Sequence, residues 1–147
     1  TLQESDHPFT IPMLQSYVQI LYYRMLPIVI KEEESQTKYS RTRQEEIFQR
    51  FIGEVEKHYR RERSVKFYAD SLCISPKYLS TVVYKVSRQL AGQWIDAYVI
   101  LEAKTLLKSG KLTIQQISEQ LNFSNQSFFG KFFKRCAGMS PKDYMNS

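Results

Sequence analysis

Residues 114–144 read IQQISEQLNFSNQSFFGKFFKRCAGMSPKDY. Apolar side chains recur at helical spacing up to Leu121, stop at Asn122, and resume at intervals of three and four from Phe128. This periodicity predicts two short amphipathic helices separated by a tight polar turn. Two helices joined in this way form the outline of a helix-turn-helix unit.

The second of these predicted helices carries polar side chains in its first turn and basic ones further along. The polar ones are Asn125, Gln126 and Ser127, and the basic ones are Lys131, Lys134 and Arg135. Amide and ammonium groups donate hydrogen bonds to base edges in the major groove, and basic groups also bind phosphates. We therefore predict that the chain binds DNA.

Basic residues are concentrated in the same part of the chain. Its 147 residues suffice for one domain, or for one domain with an appendage, and their formal net charge is +6. Residues 1–42 have a balance of −1, whereas residues 43–147 hold 17 basic and 10 acidic residues. A nucleic-acid-binding surface has such an excess, although a cationic surface that only aids solubility would give the same count.

The sequence contains no recognisable pattern for catalysis or metal binding. His7 and His58 have no partner cluster, and there is no phosphate-binding glycine loop, nucleophile motif or metal-ligand spacing. Cys73 and Cys136 occur singly, which favours a reducing cytoplasm, and we expect Cys73 to be a small buried thiol. No apolar run approaches the roughly 20 residues of a membrane span. We predict a cytoplasmic protein with no enzymatic activity, no cofactor and no membrane partner.

The remaining pattern is also helical, and we predict an all-α fold. Residues 1–41 are expected to form a leading amphipathic helix and a linker. Because the chain opens at Thr1 without an initiator Met, we interpret this segment as the remnant of an upstream sensing or dimerising region. Residues 42–147 are expected to form the DNA-binding domain, with a long helix over about residues 92–109 that turns Leu101 inward.

Residues 65–86 repeat the plan of residues 114–136. In this alignment Cys73-Ile74-Ser75 corresponds to Asn122-Phe123-Ser124, and Leu79 corresponds to Phe128. We predict two helix-turn-helix units, at about residues 64–87 and 113–137, joined by the long helix. About 18 helical residues rise about 27 Å. With the bodies at either end of this helix added, the second helices of the two units, which would read the bases, can lie about 34 Å apart, one turn of B-DNA.

Residues from about 43 to 147 resemble the DNA-binding domain of AraC/XylS-type transcription regulators. The family's closing signature is present as Ile114, Ile117, Ser118, Asn122, Phe123, Phe129, Phe133, Lys134, Gly138, Ser140, Pro141 and Tyr144. The chain departs from the family at Ser118, which is usually Ala, and at Asn122 and Arg88, which are usually Gly. The resemblance implies a transcription activator that contacts RNA polymerase and that pairs through helices ahead of its DNA-binding part.

The resemblance also assigns candidate DNA contacts. Base contacts are expected from Lys77, Ser80, Thr81, Asn125, Gln126, Ser127 and Lys131. Phosphate contacts are expected from Ser75, Lys85, Ser124, Lys134 and Arg135. The alternatives are that Ser75 and Ser124 only cap their helices, and that the basic side chains form a solvated face. Phe129 and Phe133 match core positions, whereas Phe128 or Phe132 would contact thymine methyls or pack on the long helix.

The leading helix, residues 11–28, has apolar side chains at alternating steps of three and four. We predict that Leu14, Val18, Leu21 and Met25 pack on a twin helix in a homodimer. Docking of this helix on the chain's own core is the alternative.

Together these patterns predict a transcription regulator that binds double-stranded DNA sequence-specifically. One alternative is an all-helical protein-interaction module whose basic face binds an acidic protein. Another is a DNA-repair alkyl acceptor, which would need an activated cysteine that neither Cys73 nor Cys136 resembles.

Overall fold

The computed structural model of the protein describes residues 15–25 and 42–147. The regular structure in these two ranges is entirely helical, as predicted. Residues 15–25 form α1, and the later helices are α2 (Arg43–His58), α3 (Val65–Ser71), α4 (Pro76–Ser87), α5 (Ala91–Ser109), α6 (Ile114–Gln120), α7 (Gln126–Ala137) and α8 (Pro141–Asn146). Helices α3 and α4 form the first helix-turn-helix unit, and α6 and α7 form the second. We call α4 and α7 the reading helices.

Polar side chains define where most of these helices begin. Thr42, Ser64, Ser75, Thr113, Asn125 and Ser140 each accept a hydrogen bond from a backbone amide of the first helical turn. The predicted cap at Ser75 is confirmed. The predicted cap at Ser124 is wrong, because Asn125 is the cap: its side-chain Oδ1 accepts from the Phe128 amide at 2.9 Å.

Both units turn between their helices in the same way. Cys73 and Asn122 each follow the C-cap residue with a left-handed backbone, at φ 57° and 58°. The next amide in each turn donates back into the helix, from Ile74 to the Ala69 carbonyl (3.0 Å) and from Phe123 to the Ser118 carbonyl (2.9 Å). This Schellman arrangement satisfies carbonyls at the end of the helix. Asparagine at position 122 suits this turn, because it accepts a left-handed backbone better than most residues.

The two turns differ in length by one residue, which corrects the predicted alignment of the repeat. Reading helix α4 begins two residues after Ile74, whereas α7 begins three residues after Phe123. Ser124 is therefore the extra residue, and it has no equivalent in the first unit. Beyond the turn, buried Leu79 corresponds to buried Phe129 and not to Phe128.

Helix α5 is the central element of the core and packs against α2, α4, α6, α7 and α8. Its N-terminal half is buried almost all round, and the Trp94 indole donates to the buried Ser87 hydroxyl at 2.9 Å. Its C-terminal half buries only the stripe that contains Ile100, Ala103 and Leu107. Leu101 lies about 100° around the helix from Ile100, so it is exposed, and its predicted inward position is wrong.

Cys73 and the phenylalanines of α7 differ in burial. Cys73 is exposed, contrary to the expected buried thiol, because it is the turn residue after α3 and not part of that helix's buried face. Phe129 and Phe133 are fully buried, as predicted. Phe132 is also buried, whereas Phe128 is 57% exposed.

Helix α1 docks on the core of the domain that follows it. Ile20 is buried, and the Tyr23 ring packs edge-on against Phe48 (4.8 Å between centroids) and Trp94 (5.7 Å). Helix α1 therefore packs on its own chain, which was the alternative to pairing with a twin.

The predicted pairing face of α1 is different from its docked face. Val18, Leu21 and Met25 are 64%, 61% and 58% exposed, so they do not pack on the core. Leu14 lies outside the described residues. The homodimer thus stays a prediction, as does the domain boundary between residues 41 and 42.

Candidate nucleic-acid interface

The first reading helix buries one face and presents polar side chains on the other. Its candidate base contacts, Lys77, Ser80 and Thr81, are all exposed. The Thr81 hydroxyl donates to the Lys77 carbonyl at 2.9 Å, so Thr81 offers a ligand mainly its acceptor lone pairs. The Ser75 hydroxyl accepts from the Tyr78 amide at 3.1 Å, which makes it a helix cap whatever else it contacts.

The second reading helix has a comparable outer face. Its candidate base contacts Asn125, Gln126, Ser127 and Lys131 are exposed. The side-chain oxygen of Asn125 already accepts the cap hydrogen bond, which leaves the side-chain NH₂ group as the donor available for a base. The Lys131 ammonium lies 5.9 Å from the Phe128 ring centroid, so these two side chains are neighbours on the surface.

Among the candidate phosphate contacts, Arg135 already pairs with a carboxylate. Ser124, Lys85 and Lys134 are exposed. The Arg135 guanidinium instead pairs with the Asp96 carboxylate of α5 at 3.4 Å and lies over the Phe132 ring at 5.6 Å. Burial raises the pKa of Asp96, and the charges of Arg135 and Arg63 oppose that rise. Arg135 therefore ties α7 to α5, and its charge is partly offset.

Two exposed tyrosines on α4 belong to this surface and were missed in the sequence. Tyr78 and Tyr84 are 37% and 48% exposed. In the corrected alignment Tyr78 is equivalent to Phe128, so each reading helix presents an aromatic ring at its third position. The predicted alignment paired Phe128 with Leu79 and hid this equivalence. The signal was present as an aromatic residue three positions after each helix cap.

The corrected alignment also pairs Thr81 with Lys131 and Tyr84 with Lys134. These positions lie one helical turn apart on each helix, on the side opposite the buried residues. Both units thus present an exposed stripe at equivalent positions, although the stripe of α7 is the more basic.

A family model described as a helix-turn-helix domain matches residues 68–147, more than half of the chain. The chain belongs to this family. Its helix-turn-helix domain is of the AraC/XylS type, as the signature at residues 114–144 predicted. This is a family of transcription-regulator domains and not of enzymes, which agrees with the prediction of no enzymatic activity.

Two curated relatives illustrate the similarity of this helix-turn-helix domain. The arabinose operon regulatory protein of Escherichia coli (strain K12) is 29% identical over 76 residues, 52% of this chain and 26% of that protein. The HTH-type transcriptional regulator AlkR of Acinetobacter baylyi is 30% identical over 81 residues, 55% of this chain and 26% of that protein. The matched segment thus spans about a quarter of either relative.

Solved structures show the same fold. The C-terminal domain of AraT, a response regulator from Geobacillus stearothermophilus, matches with a TM-score of 0.66 at 26% identity, over 71% of this chain and 88% of that one. The DNA-binding domain of the global transcriptional factor AdpA, solved in complex with a target DNA, matches with a TM-score of 0.61 at 17% identity, over 67% of this chain and 89% of that one. The second likeness concerns the fold alone.

The surroundings of Cys136 do not favour the activated thiol that an alkyl acceptor requires. Burial raises the pKa of its thiol, which is the opposite of what an activated thiolate requires.

Among the helices in residues 15–25 and 42–147, none is long and apolar enough to span a bilayer.

Proposed function

We propose that this chain is the sequence-specific DNA-binding part of a transcription regulator, and that α4 and α7 enter successive major grooves of one duplex. The observation that carries the proposal is the equivalence of the two units. Each has the same Schellman turn and a reading helix with an exposed polar stripe. Helix α5, which joins them, has 19 residues and therefore rises about 28 Å, a length that suits a separation of roughly one turn of B-DNA.

In this proposal the base contacts come from Lys77, Ser80 and Thr81 on α4 and from Asn125, Gln126, Ser127 and Lys131 at α7. Ser75, Lys85, Ser124, Lys134 and Arg135 bind phosphates. Arg135 has the weakest support of these, since Asp96 partly offsets its charge. Tyr78 and Phe128 join the set as apolar contacts to thymine methyls.

The salt dependence of binding distinguishes DNA from an acidic protein partner. Three of the proposed phosphate contacts are cations, and neutralising three phosphates would make the logarithm of the affinity fall with the logarithm of the salt concentration at a slope of about −2.7. We expect a linear fall of this size for duplex DNA in fluorescence anisotropy titrations. A flat dependence would favour the all-helical protein-interaction module.

The exposed face of α1 supports a homodimer, and membership of a DNA-binding regulator family supports a cytoplasmic location. Val18, Leu21 and Met25 form an apolar stripe that does not pack on the core. Activation through contact with RNA polymerase is a further part of the proposal, and its support is the family resemblance alone. Transcription in vitro from a promoter that carries a selected binding site should rise when the protein is added, and unchanged transcript levels would contradict activation.

A further inference from the structure

The joint between α2 and α3, residues 59–63, contacts the turn of the second helix-turn-helix unit. The Arg63 guanidinium donates hydrogen bonds to two backbone carbonyls, those of Leu121 and Asn122. The Asn122 oxygen lies 3.4 Å from Nη1. In the other direction, the Asn122 side-chain amide donates to the Arg61 carbonyl at 2.9 Å. Residues about 60 positions apart in the chain are thereby connected by hydrogen bonds in both directions.

The joint is also fixed to the first unit. Arg63 immediately precedes Ser64, the N-cap of α3, and the Tyr68 hydroxyl of α3 donates to the Glu62 carbonyl at 2.7 Å. A displacement of the joint would therefore move α3, and α3 packs directly on the reading helix α4.

On the other side, Arg63 reaches the second reading helix through one aromatic ring. Its guanidinium carbon lies 4.2 Å from the Phe123 ring centroid. That ring packs in turn on Phe129 and Phe132 of α7, with centroids 5.2 Å apart in both cases. The guanidinium also meets the C-terminal end of α6, where the exposed carbonyls carry partial negative charge and favour a cation.

We infer that Arg63 is a positioning residue that sets the separation of the two reading helices and so selects the spacing of the two blocks in the DNA site. Helix α5 packs on helices of both units, and without a contact beyond this helix the second unit would be free to pivot about it. The Arg63–Asn122 contact is a second connection, which removes that freedom. Burial lowers the pKa of Arg63, but an arginine stays charged at any physiological pH, so the contact does not depend on pH.

This inference rests on the proposed binding of two successive grooves. The probe is the duplex that the wild-type protein recovers from a random library, together with derivatives that have one base pair added or removed between the two blocks. One base pair shifts a block by about 3.4 Å and rotates it by about 35°. Each shifted duplex should bind the wild-type protein about tenfold more weakly or worse, since one block loses its base contacts.

Arg63→Ala should shrink this penalty to about threefold or less, because the second unit can then follow its displaced block, and affinity for the original duplex should fall. Arg63→Lys keeps the charge without the forked donors and should give an intermediate penalty. Asn122→Gly removes only the hydrogen bond from the Asn122 side chain to the Arg61 carbonyl. Glycine accepts the left-handed backbone at that position. This variant keeps the test valid if Arg63→Ala folds poorly, and it should relax the spacing in the same direction.

Arg61→Ala is the matched control. Arg61 is an exposed neighbour that takes part in the joint through its backbone carbonyl, and this substitution leaves that carbonyl in place. It should keep the wild-type penalty for shifted duplexes. If Arg63→Ala and Asn122→Gly keep the full penalty as well, Arg63 does not set the spacing, although the two-groove proposal stands. If the wild-type protein itself tolerates the shifted duplexes, the two-groove proposal fails first.

Discussion

Arg88 ends the first reading helix in a backbone conformation that disfavours any side chain with a Cβ atom. Its φ is 60°, and Gly110 and Gly138 occupy the same left-handed region at the ends of α5 and α7. Arg88→Gly should therefore raise the free energy of unfolding by about 0.5–1 kcal/mol, since the steric cost is relieved while the unfolded chain gains some entropy.

Urea denaturation measures this change as a shift of the midpoint at constant slope. Arg88→Ala is the control, because alanine removes the long side chain and keeps the Cβ atom. It should change the free energy of unfolding by less than about 0.5 kcal/mol. If the alanine variant were as stable as the glycine variant, backbone strain at residue 88 would not be the cause.

Lys131 and Lys134 are both exposed on α7, but they are expected to do different things. Lys131→Ala should weaken the preferred site by about 1–3 kcal/mol and relax the base preference at one position, as expected of a direct base contact. Gln126→Ala should behave in the same way. Competition titrations with preferred and random duplexes measure the difference, and an equal loss on both would make either residue a phosphate contact.

Lys134→Ala is the comparison within the same helix. It should weaken binding to all sequences alike and reduce the salt slope by about one. A loss confined to the preferred duplex would mean that Lys134 contacts a base and not a phosphate.

At the scale of single helices, α1 has two apolar faces with different roles. Leu21 lies on the exposed face, so Leu21→Glu should leave the free energy of unfolding nearly unchanged. It should abolish self-association, because the new carboxylate lies on the predicted pairing face. Ile20→Ala, one residue away on the docked face, should cost about 2–4 kcal/mol of stability because Ile20 is buried. Sedimentation equilibrium and urea denaturation of both variants test this pair. A wild-type protein that stays monomeric at high concentration would exclude pairing through α1.

Local sequence patterns were sufficient to predict the all-helical fold and the cap at Ser75. Thr113 and Gln116 have the spacing of a reciprocal capping box and form one, with hydrogen bonds of 3.1 and 2.9 Å. The cap at Asn125 was not predictable in the same way, because Ser124 and Asn125 are adjacent and both are good caps. That single-residue ambiguity shifted the repeat alignment and concealed the equivalence of Tyr78 and Phe128.

Long-range contacts account for what the sequence did not reveal. Arg63 and Asn122 are polar residues outside any periodic pattern, so nothing local indicates that they meet. The docked face of α1 was hidden for a related reason. Both of its faces are apolar, and periodicity alone does not say which one the core will cover. The candidate base contacts were easier to place, since their exposure follows from helical phase.

At the scale of the whole molecule, the proposed recognition of DNA requires the two units to act together on one duplex. Helix α5 packs against both reading helices, and the Arg63–Asn122 contact adds a second connection between the units. A rigid pair of unequal reading helices should recognise an asymmetric site, since the side chains of α4 and α7 differ at every equivalent candidate position.

Selection of binding sites from a random duplex library tests this claim most directly. We predict an asymmetric motif with two different blocks, whose centres are separated by about 10 base pairs, one helical turn. A palindrome with a single block in each half-site would contradict it, because each chain would then be using only one of its two reading helices.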